Sequence, residues 1–310
     1  MLLALPAFCL AAPAADHHQH LFSPATIALI NAGPGGPQAI DADALLVHLD
    51  RAGIRRAAVL SVAYMLGRPN RVIEDEYAKV RAENDWTAVQ AAKHPERLRA
   101  FCGFNPLKDY AMAELERCAA DPHLRHGLKF HFGNSDVQLD NPIHIARLRE
   151  IFSAANRHRM AIALHLRASI SLKRPYGEVQ ARAFLEQLMP LATDIVVQVA
   201  HFAGAGPGYD DAPANEVMRV FAEAVAKGDP HARRIWFDVA SIVTPTISAV
   251  HAREMARRIR LIGVERILFG SDAITPTNMA PREAWAAFQA LPLTRGEFDA
   301  IAANLAPYLK

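Results

Sequence analysis

Three histidines fall within four residues near the start of the sequence, at His17, His18 and His20. Side chains two apart on a β-strand point to the same side, so His18 and His20 can bind one ion while His17 points the opposite way. Neutral imidazoles together with a carboxylate suit a borderline divalent metal such as Zn²⁺. A His-x-His pair alone is equally explained by local hydrogen bonding, so its meaning depends on ligands from later segments.

Later apolar runs end in residues of the same kind. His165 ends "AIALH", His201 ends "VVQVAH" and Asp272 ends "RILFGSD". Taken singly, these residues are typical of hydrogen-bonded core histidines and a turn aspartate. The carboxyl ends of parallel barrel strands share one rim, however, and five such residues at four strand ends predict a single metal site there.

Short apolar runs alternate with amphipathic helical patterns along the chain. About eight β-then-α units predict a single-domain α/β fold, a (β/α)8 TIM barrel. A doubly wound open sheet is the alternative, but the first strand lacks a following GxGxxG, and the glycine-rich "NAGPGG" (residues 31–36) reads as a loop. The predicted strands are Ala12–His18, Ala57–Val62, Leu98–Phe104, Gly127–Phe132, Met160–His165, Ile195–His201, Arg234–Val239 and Arg266–Phe269.

Composition excludes several classes of function. The net charge of +2 and the absence of a basic run predict neither nucleic-acid nor membrane partners. Cys9, Cys102 and Cys118 are odd in number and have no CxxC spacing, so a disulfide framework and a thiolate zinc site are not expected.

Residues 1–15 form an apolar, signal-like segment that contains the Ala-x-Ala site Ala12–Ala14, although no basic residue precedes it. The segment is either an export signal or the start of the first strand, and residues 16–310 form the barrel. An export signal implies a periplasmic or secreted protein, whereas a strand implies a cytoplasmic protein.

The sequence resembles the amidohydrolase superfamily, and within it amidohydrolase family 2, which includes the aminocarboxymuconate-semialdehyde decarboxylase-like proteins. The resemblance rests on "DHHQHLF", "GLKFHFGNS", "ALHLR", "VQVAHFAGAG" and "ILFGSDA", and extends from Asp16 to Lys310. It implies metal ligation by His18, His20, His165 and Asp272. It also implies that Asp272 and His201 are catalytic, with Asp272 as ligand and base and His201 beside the activated water or the substrate carbonyl.

Lys129, in "GLKFHF", has three interpretations. As in binuclear superfamily members, it is carboxylated and bridges two metals; alternatively it binds a substrate carboxylate as an ammonium, or forms an ordinary ion pair at the rim. His131 has the same strand parity as Lys129 and either lines the pocket or is a hydrogen-bonded rim histidine.

Two loop residues complete the predicted substrate contacts. Arg167, two residues beyond His165, is either a bidentate carboxylate anchor or a surface arginine. Tyr209, in the glycine-rich "HFAGAGPGYDDA", either reaches the substrate or packs.

These observations predict a metal-dependent hydrolase that acts on a C–O or C–N bond of a small carboxylated compound such as a lactone, ester or amide. The alternatives are nonoxidative decarboxylation of an unsaturated or aromatic acid and, in a different class, a non-catalytic ligand-binding barrel. The expected cofactor is one divalent ion, Zn²⁺ before Mn or Fe, with a second ion if Lys129 is carboxylated. The expected partner is a small-molecule substrate. A monomer and a homo-oligomer are both compatible with the sequence.

Overall fold

Eight parallel strands follow one another around a nearly closed barrel in the order of the chain. The computed structural model describes residues 11–30, 38–273 and 278–310. Backbone hydrogen bonds from His17 to Phe269 and from Asp272 to His18, both 2.9 Å, join the first strand to the eighth. The strands are β1 (Ala15–Gln19), β2 (Arg56–Leu60), β3 (Leu98–Gly103), β4 (Gly127–His131), β5 (Ala161–His165), β6 (Val197–Val199), β7 (Ile235–Asp238) and β8 (Ile267–Leu268).

Helices cover the outside of the barrel, and several begin at a side chain that caps the first turn. The side chain of Asn141 caps the helix that begins at Pro142, and the side chains of Asp41 and Asp211 cap the helices that begin at Ala42 and Ala212. The helices of the described residues are α1 (Pro24–Ile30), α2 (Ala42–Arg51), α3 (Glu76–Ala92), α4 (Ala111–Ala120), α5 (Phe132–Ser135), α6 (Pro142–Arg157), α7 (Glu178–Ala183), α8 (Ala212–Ala226), α9 (Ala249–Ile262), α10 (Pro281–Phe288) and α11 (Arg295–Ala303).

The barrel interior changes character from bottom to top. Its lower part is filled by small and apolar side chains, including Ala161, Ala163 and Phe101, which are closed off by Leu309 and Tyr308 from the C-terminal segment. The inward positions of β4 and β5 continue upward to Lys129 and to the two histidines that end these strands. Because side chains alternate along a strand, the residues between them pack outward against the helices. The barrel therefore carries its polar side chains at the carboxyl-end rim.

One expectation from the cysteine spacing is wrong. Cys102 on β3 and Cys118 on α4, both fully buried, form a disulfide. The helix that follows β3 folds back over the strand, so residues 16 apart in sequence come within 6.2 Å between Cα atoms. A search for CxxC spacing does not detect such a pair, because the fold supplies the proximity.

Some sequence predictions lie outside the described residues. These are the structure of the apolar segment at residues 1–10, including Cys9, and the loop at 31–36. Residues 11–14 lead into β1, where the Ala14 amide donates to the Ala302 carbonyl at 2.7 Å. No helix of the described residues has the length and hydropathy that a transmembrane span requires.

Candidate metal centre and active site

The carboxyl-end rim brings seven of the predicted site residues together. His18 and His20 are buried, as are Lys129, His165 and His201, whereas His131 and Asp272 are partly exposed. Ligand atoms of His18, His20 and Asp272 lie within 4.8 Å of one another, as do those of His18, His201 and Asp238.

The imidazoles of His18, in β1, and His20, directly after it, present lone pairs to each other. His18 Nδ1 donates to Asp238 Oδ2 at 2.9 Å, and His20 Nδ1 donates to the Leu60 carbonyl. Since each Nδ1 holds the proton of a neutral ring, each Nε2 carries a lone pair. The two Nε2 atoms are 3.3 Å apart. A cation shared between them relieves the repulsion of facing lone pairs, so the pair fits a metal ion.

Asp272 adds a carboxylate oxygen that accepts no hydrogen bond within the described part of the chain. Its Oδ1 is buried, has no hydrogen-bond partner among the described residues and lies 3.6 Å from His20 Nε2. Its Oδ2 accepts from Asn278 Nδ2 at 2.9 Å. A buried, unpartnered carboxylate oxygen is costly unless it faces a cation. His18, His20 and Asp272 thus form a donor set that a divalent ion would satisfy.

Asp16 holds Asp272 in place. Its carboxylate accepts from Ser271 Oγ at 2.6 Å, from the Ser271 amide at 3.1 Å and from the His18 amide at 3.1 Å. Burial raises the pKa of Asp16 to about 6, against the lowering effect of these hydrogen bonds. The turn after β8 is thereby fixed to β1. Gly270 permits the close approach, because a Cβ there would lie 2.8 Å from the Cβ of His18.

Asp238, at the end of β7, was missed by the sequence reasoning. It is fully buried and accepts from His18 Nδ1, from Gln198 Nε2 at 2.6 Å and from the His201 amide at 2.9 Å. Burial opposes its ionisation, yet the neighbouring His18 and His201 and these hydrogen bonds hold the pKa of Asp238 below its usual range. A carboxylate behind a ligating histidine fixes the tautomer of the ring. The position of Asp238 at a predicted strand end is the signal that would have found it.

His201 lies beside both groups of ligands. His201, Phe202 and Ala203 all have positive φ (52–62°), which ends β6 early and turns the His201 ring into the cluster. The ring centroid is 4.7 Å from that of His18 and 5.0 Å from that of His165. Burial, and next the nearby His18, lower the pKa of His201. Because Nδ1 donates to the Ala240 carbonyl at 2.9 Å, Nε2 of the neutral ring is a proton acceptor.

His165 and His131 form a stacked pair. They are register partners on β5 and β4, and their ring centroids are 3.7 Å apart. His131 Nδ1 accepts from the Asn134 amide at 3.2 Å, so His131 also caps the short helix α5. Burial lowers the pKa of both rings well below the usual range. These contacts place both residues in the cluster as neutral imidazoles.

Lys129 points into the same cluster. Its Nζ is 3.1 Å from His18 Nε2, and its side chain is buried. Burial lowers the pKa of Lys129 to about 8, although Asp238 and Asp272 raise it. Within the described ranges, Nζ hydrogen-bonds to an imidazole and not to a carboxylate.

Arg167 and Tyr209 lie apart from the cluster, in a cleft of about 630 Å³ formed by the loops after β5, β6 and β7. Arg167 Nε donates to Asp211 Oδ2 at 2.8 Å, and its guanidinium lies 4.7 Å above the Tyr176 ring. Tyr209 packs between the rings of Phe202 and His251, with both centroids 6.2 Å away. The cleft adjoins His201 through Gly206, where a Cβ would lie 3.3 Å from His201 Nδ1.

His17 contacts a different part of the molecule. Its Nδ1 donates to the Phe269 carbonyl at 2.9 Å, and its Nε2 accepts from the Ala306 amide at 3.2 Å. Both ring nitrogens are thus used in hydrogen bonds to the backbone, in agreement with its exclusion from the ligand set.

Comparison with known proteins assigns the class that the barrel and its histidine-aspartate rim suggest. Residues 15–304 match the profile of amidohydrolase family 2, so the chain belongs to the amidohydrolase family. A search of curated proteins finds no match. The amidohydrolase family is a family of enzymes, so this chain is an enzyme.

Solved structures share the fold at low identity. A 5-carboxyvanillate decarboxylase from Sphingomonas paucimobilis is 14% identical, with a TM-score of 0.63 over 94% of this chain and 97% of that one. A zinc-bound amidohydrolase from Burkholderia multivorans is 14% identical, with a TM-score of 0.60 over 94% and 96%. A candidate 2-pyrone-4,6-dicarboxylic acid hydrolase from Pseudomonas putida is 16% identical, with a TM-score of 0.59 over 94% and 95%.

Proposed function

We propose that the protein is a metal-dependent hydrolase that adds water across a C–O or C–N bond of a small carboxylated lactone, ester or amide. The observation that carries this proposal is the convergence of two imidazole lone pairs with the unpartnered Asp272 Oδ1. His18, His20 and Asp272, with His165 as fourth ligand, would hold one Zn²⁺, with Mn or Fe as alternatives.

When bound, a divalent ion lowers the pKa of water and polarises a carbonyl oxygen. The side chains of the rim then supply proton transfer. Asp272 takes the proton of the attacking water and returns it to the leaving group. His201 orients that water by accepting a hydrogen bond at Nε2, since its Nδ1 proton is committed to Ala240.

The cleft beside His201 gives the substrate a place to bind. Its volume of about 630 Å³ suits a small molecule. The Lys129 ammonium, inside the rim, supplies positive charge for a substrate carboxylate. Two structural neighbours are named for carboxylated ring compounds, 5-carboxyvanillate and 2-pyrone-4,6-dicarboxylic acid, which supports such a substrate.

Nonoxidative decarboxylation is the second candidate. Lys129 favours it, because burial brings its pKa to about 8 and leaves it protonated at neutral pH beside His18. An ammonium there can donate a proton to the carbon that loses carbon dioxide. The same barrel is used by the 5-carboxyvanillate decarboxylase.

Product analysis distinguishes hydrolysis from nonoxidative decarboxylation. The Zn²⁺-loaded protein is incubated in ¹⁸O-labelled water with a panel of carboxylated lactones, esters and amides and a panel of aromatic acids. Hydrolysis predicts one ¹⁸O atom in the product, whereas carbon dioxide release without water addition contradicts the hydrolase proposal. Asp272→Asn serves as the inactive control. Intact mass and metal analysis of the same sample test for a second ion with a carboxylated Lys129.

A further inference from the structure

The segment after β2 carries two arginines with unused hydrogen-bonding capacity. Arg68 Nη2 donates to Asn134 Oδ1 at 2.6 Å, but its Nε is buried and has no partner among the described residues. Arg71 Nη1 is likewise buried without a partner in that part of the chain. The two residues belong to one turn, in which the Arg71 amide donates to the Arg68 carbonyl at 3.1 Å.

Burying these N–H groups without hydrogen-bond acceptors costs free energy, because a guanidinium stays charged. Burial, and after it the nearby Arg71, lower the pKa of Arg68, while Tyr64 raises it. The two arginines after β5, by contrast, are paired with carboxylates: Arg167 with Asp211, and Arg174 with Asp136. Arg68, in contrast, donates to the neutral side-chain amide of Asn134.

The arginine pair adjoins the histidine cluster. The side-chain Oδ1 of Asn134 accepts from Arg68, and the backbone N–H of Asn134 donates to His131 Nδ1. His131 in turn stacks on His165. Tyr64, four residues before Arg68, lies with its ring 5.4 Å from His131 and 6.5 Å from His20. Arg68 is therefore connected to the predicted ligand His165 through two residues, Asn134 and His131.

We propose that Arg68 and Arg71 form an anion subsite that holds a carboxylate of the substrate at the β2–β4 side of the rim. This inference rests on the proposed function and narrows its substrate class. The substrate carries a carboxylate that is not the reacting group and that the product retains. A planar carboxylate accepts two parallel N–H groups from one guanidinium, which suits the free Nε edge of Arg68.

The test uses isophthalate and its neutral diamide as probes of the Zn²⁺-loaded protein, with affinities measured by calorimetry. We expect Arg68→Gln to bind isophthalate about 10- to 100-fold more weakly, because charged hydrogen bonds are lost. Arg71→Gln is expected to show a smaller loss in the same direction. Binding of the diamide and the zinc content should not change in either variant.

Arg51→Gln, exposed at the end of α2, is the matched control and should bind isophthalate like the wild type. Arg68→Lys keeps the charge and loses the planar fork, so intermediate binding is expected if Arg68→Gln does not fold. Equal affinity of wild type and both Gln variants for isophthalate, or equal binding of isophthalate and diamide by the wild type, would overturn the subsite. Arginine-dependent binding of isophthalate without turnover of any panel compound would instead reject the proposed hydrolase and leave the subsite standing.

Discussion

Asp238 Oδ2 and His18 Nδ1 lie 2.9 Å apart, and both side chains are fully buried. One residue ends β7 and the other lies in β1, so the contact spans the top of the barrel across β8. The hydrogen bond fixes the ring proton at Nδ1, so the lone pair of the neutral His18 ring is on Nε2, the atom that faces the cluster. The His201 backbone amide donates to the same carboxylate, so one aspartate positions two of the predicted site residues, His18 and His201.

We predict that Asp238→Asn weakens zinc binding about 10- to 100-fold, because the amide no longer provides a charged acceptor for the Nδ1 proton. Competition with a chromophoric chelator measures the affinity. Asp194→Asn, at an exposed loop position, is the control and should bind zinc normally. Wild-type affinity in Asp238→Asn would show that the tautomer of His18 is fixed by other groups.

Gly270→Ala should displace His18. The added Cβ would lie 2.8 Å from the Cβ of His18 and 3.2 Å from that of Ala240, so the backbone has to shift. We expect a loss of about 1–3 kcal/mol in the free energy of unfolding, together with weaker zinc binding. Gly296→Ala is the matched control, since nothing lies within 4 Å of a Cβ there. Denaturant titration would contradict the prediction if the two variants were equally stable.

Arg167→Met is predicted to act mainly on stability. Its guanidinium already has Asp211 and the Tyr176 ring as partners. Removing it leaves the Asp211 carboxylate unpaired and should cost about 2 kcal/mol in the free energy of unfolding. A double-mutant cycle with Asp211→Asn measures the coupling energy. A large loss of isophthalate affinity with unchanged stability would instead make Arg167 a substrate anchor.

His126 should make the protein less stable in mild acid. Burial, together with Arg99 and Arg125, lowers the pKa of His126 to about 4 from its ordinary 6.5. Between these values the unfolded chain binds the proton and the folded chain does not, so the contribution of His126 is full above pH 6.5 and is lost as the pH falls toward 4. Since the side chain is partly exposed, we expect a loss of about 1 kcal/mol.

His126→Gln should therefore lose less stability than the wild type between pH 7 and pH 4.5 in urea titrations. His123→Gln, at the exposed neighbouring position, is the control and should follow the wild type. Parallel pH profiles for all three proteins would exclude His126 as the origin of the effect.

Strand periodicity was sufficient to predict the barrel and the rim. The ends of β1, β5 and β8 carry His18, His165 and the Gly-Ser-Asp turn, and parallel topology brings such ends together. The strand β6 is shorter than predicted, Val197–Val199, because the positive φ of His201 ends it. That conformation depends on tertiary hydrogen bonds to Asp238 and Ala240, which no local pattern encodes.

The residues that the sequence reasoning missed act through partners distant in sequence. Asp238 contacts a histidine 220 positions away, and Asp16 contacts Ser271 at a separation of 255. Arg68 has a buried Nε without a hydrogen-bond partner among the described residues and lies four residues from Tyr64, whose ring contacts His131. Both facts are properties of its surroundings. Spacing along the chain carries none of this information, whereas residue type at a strand end carries part of it.

The C-terminal segment reaches the strand that bears the first two predicted ligands. The Ala306 amide donates to His17, and Tyr308 Oη donates to Gln198, whose amide donates in turn to the His17 carbonyl and to Asp238. These hydrogen bonds link the C-terminal segment, which closes the lower end of the barrel, to the histidine cluster at the carboxyl-end rim. A proteolytic nick before Ala306, far below the cluster, would loosen the alignment of His18 with Asp238 without touching either residue.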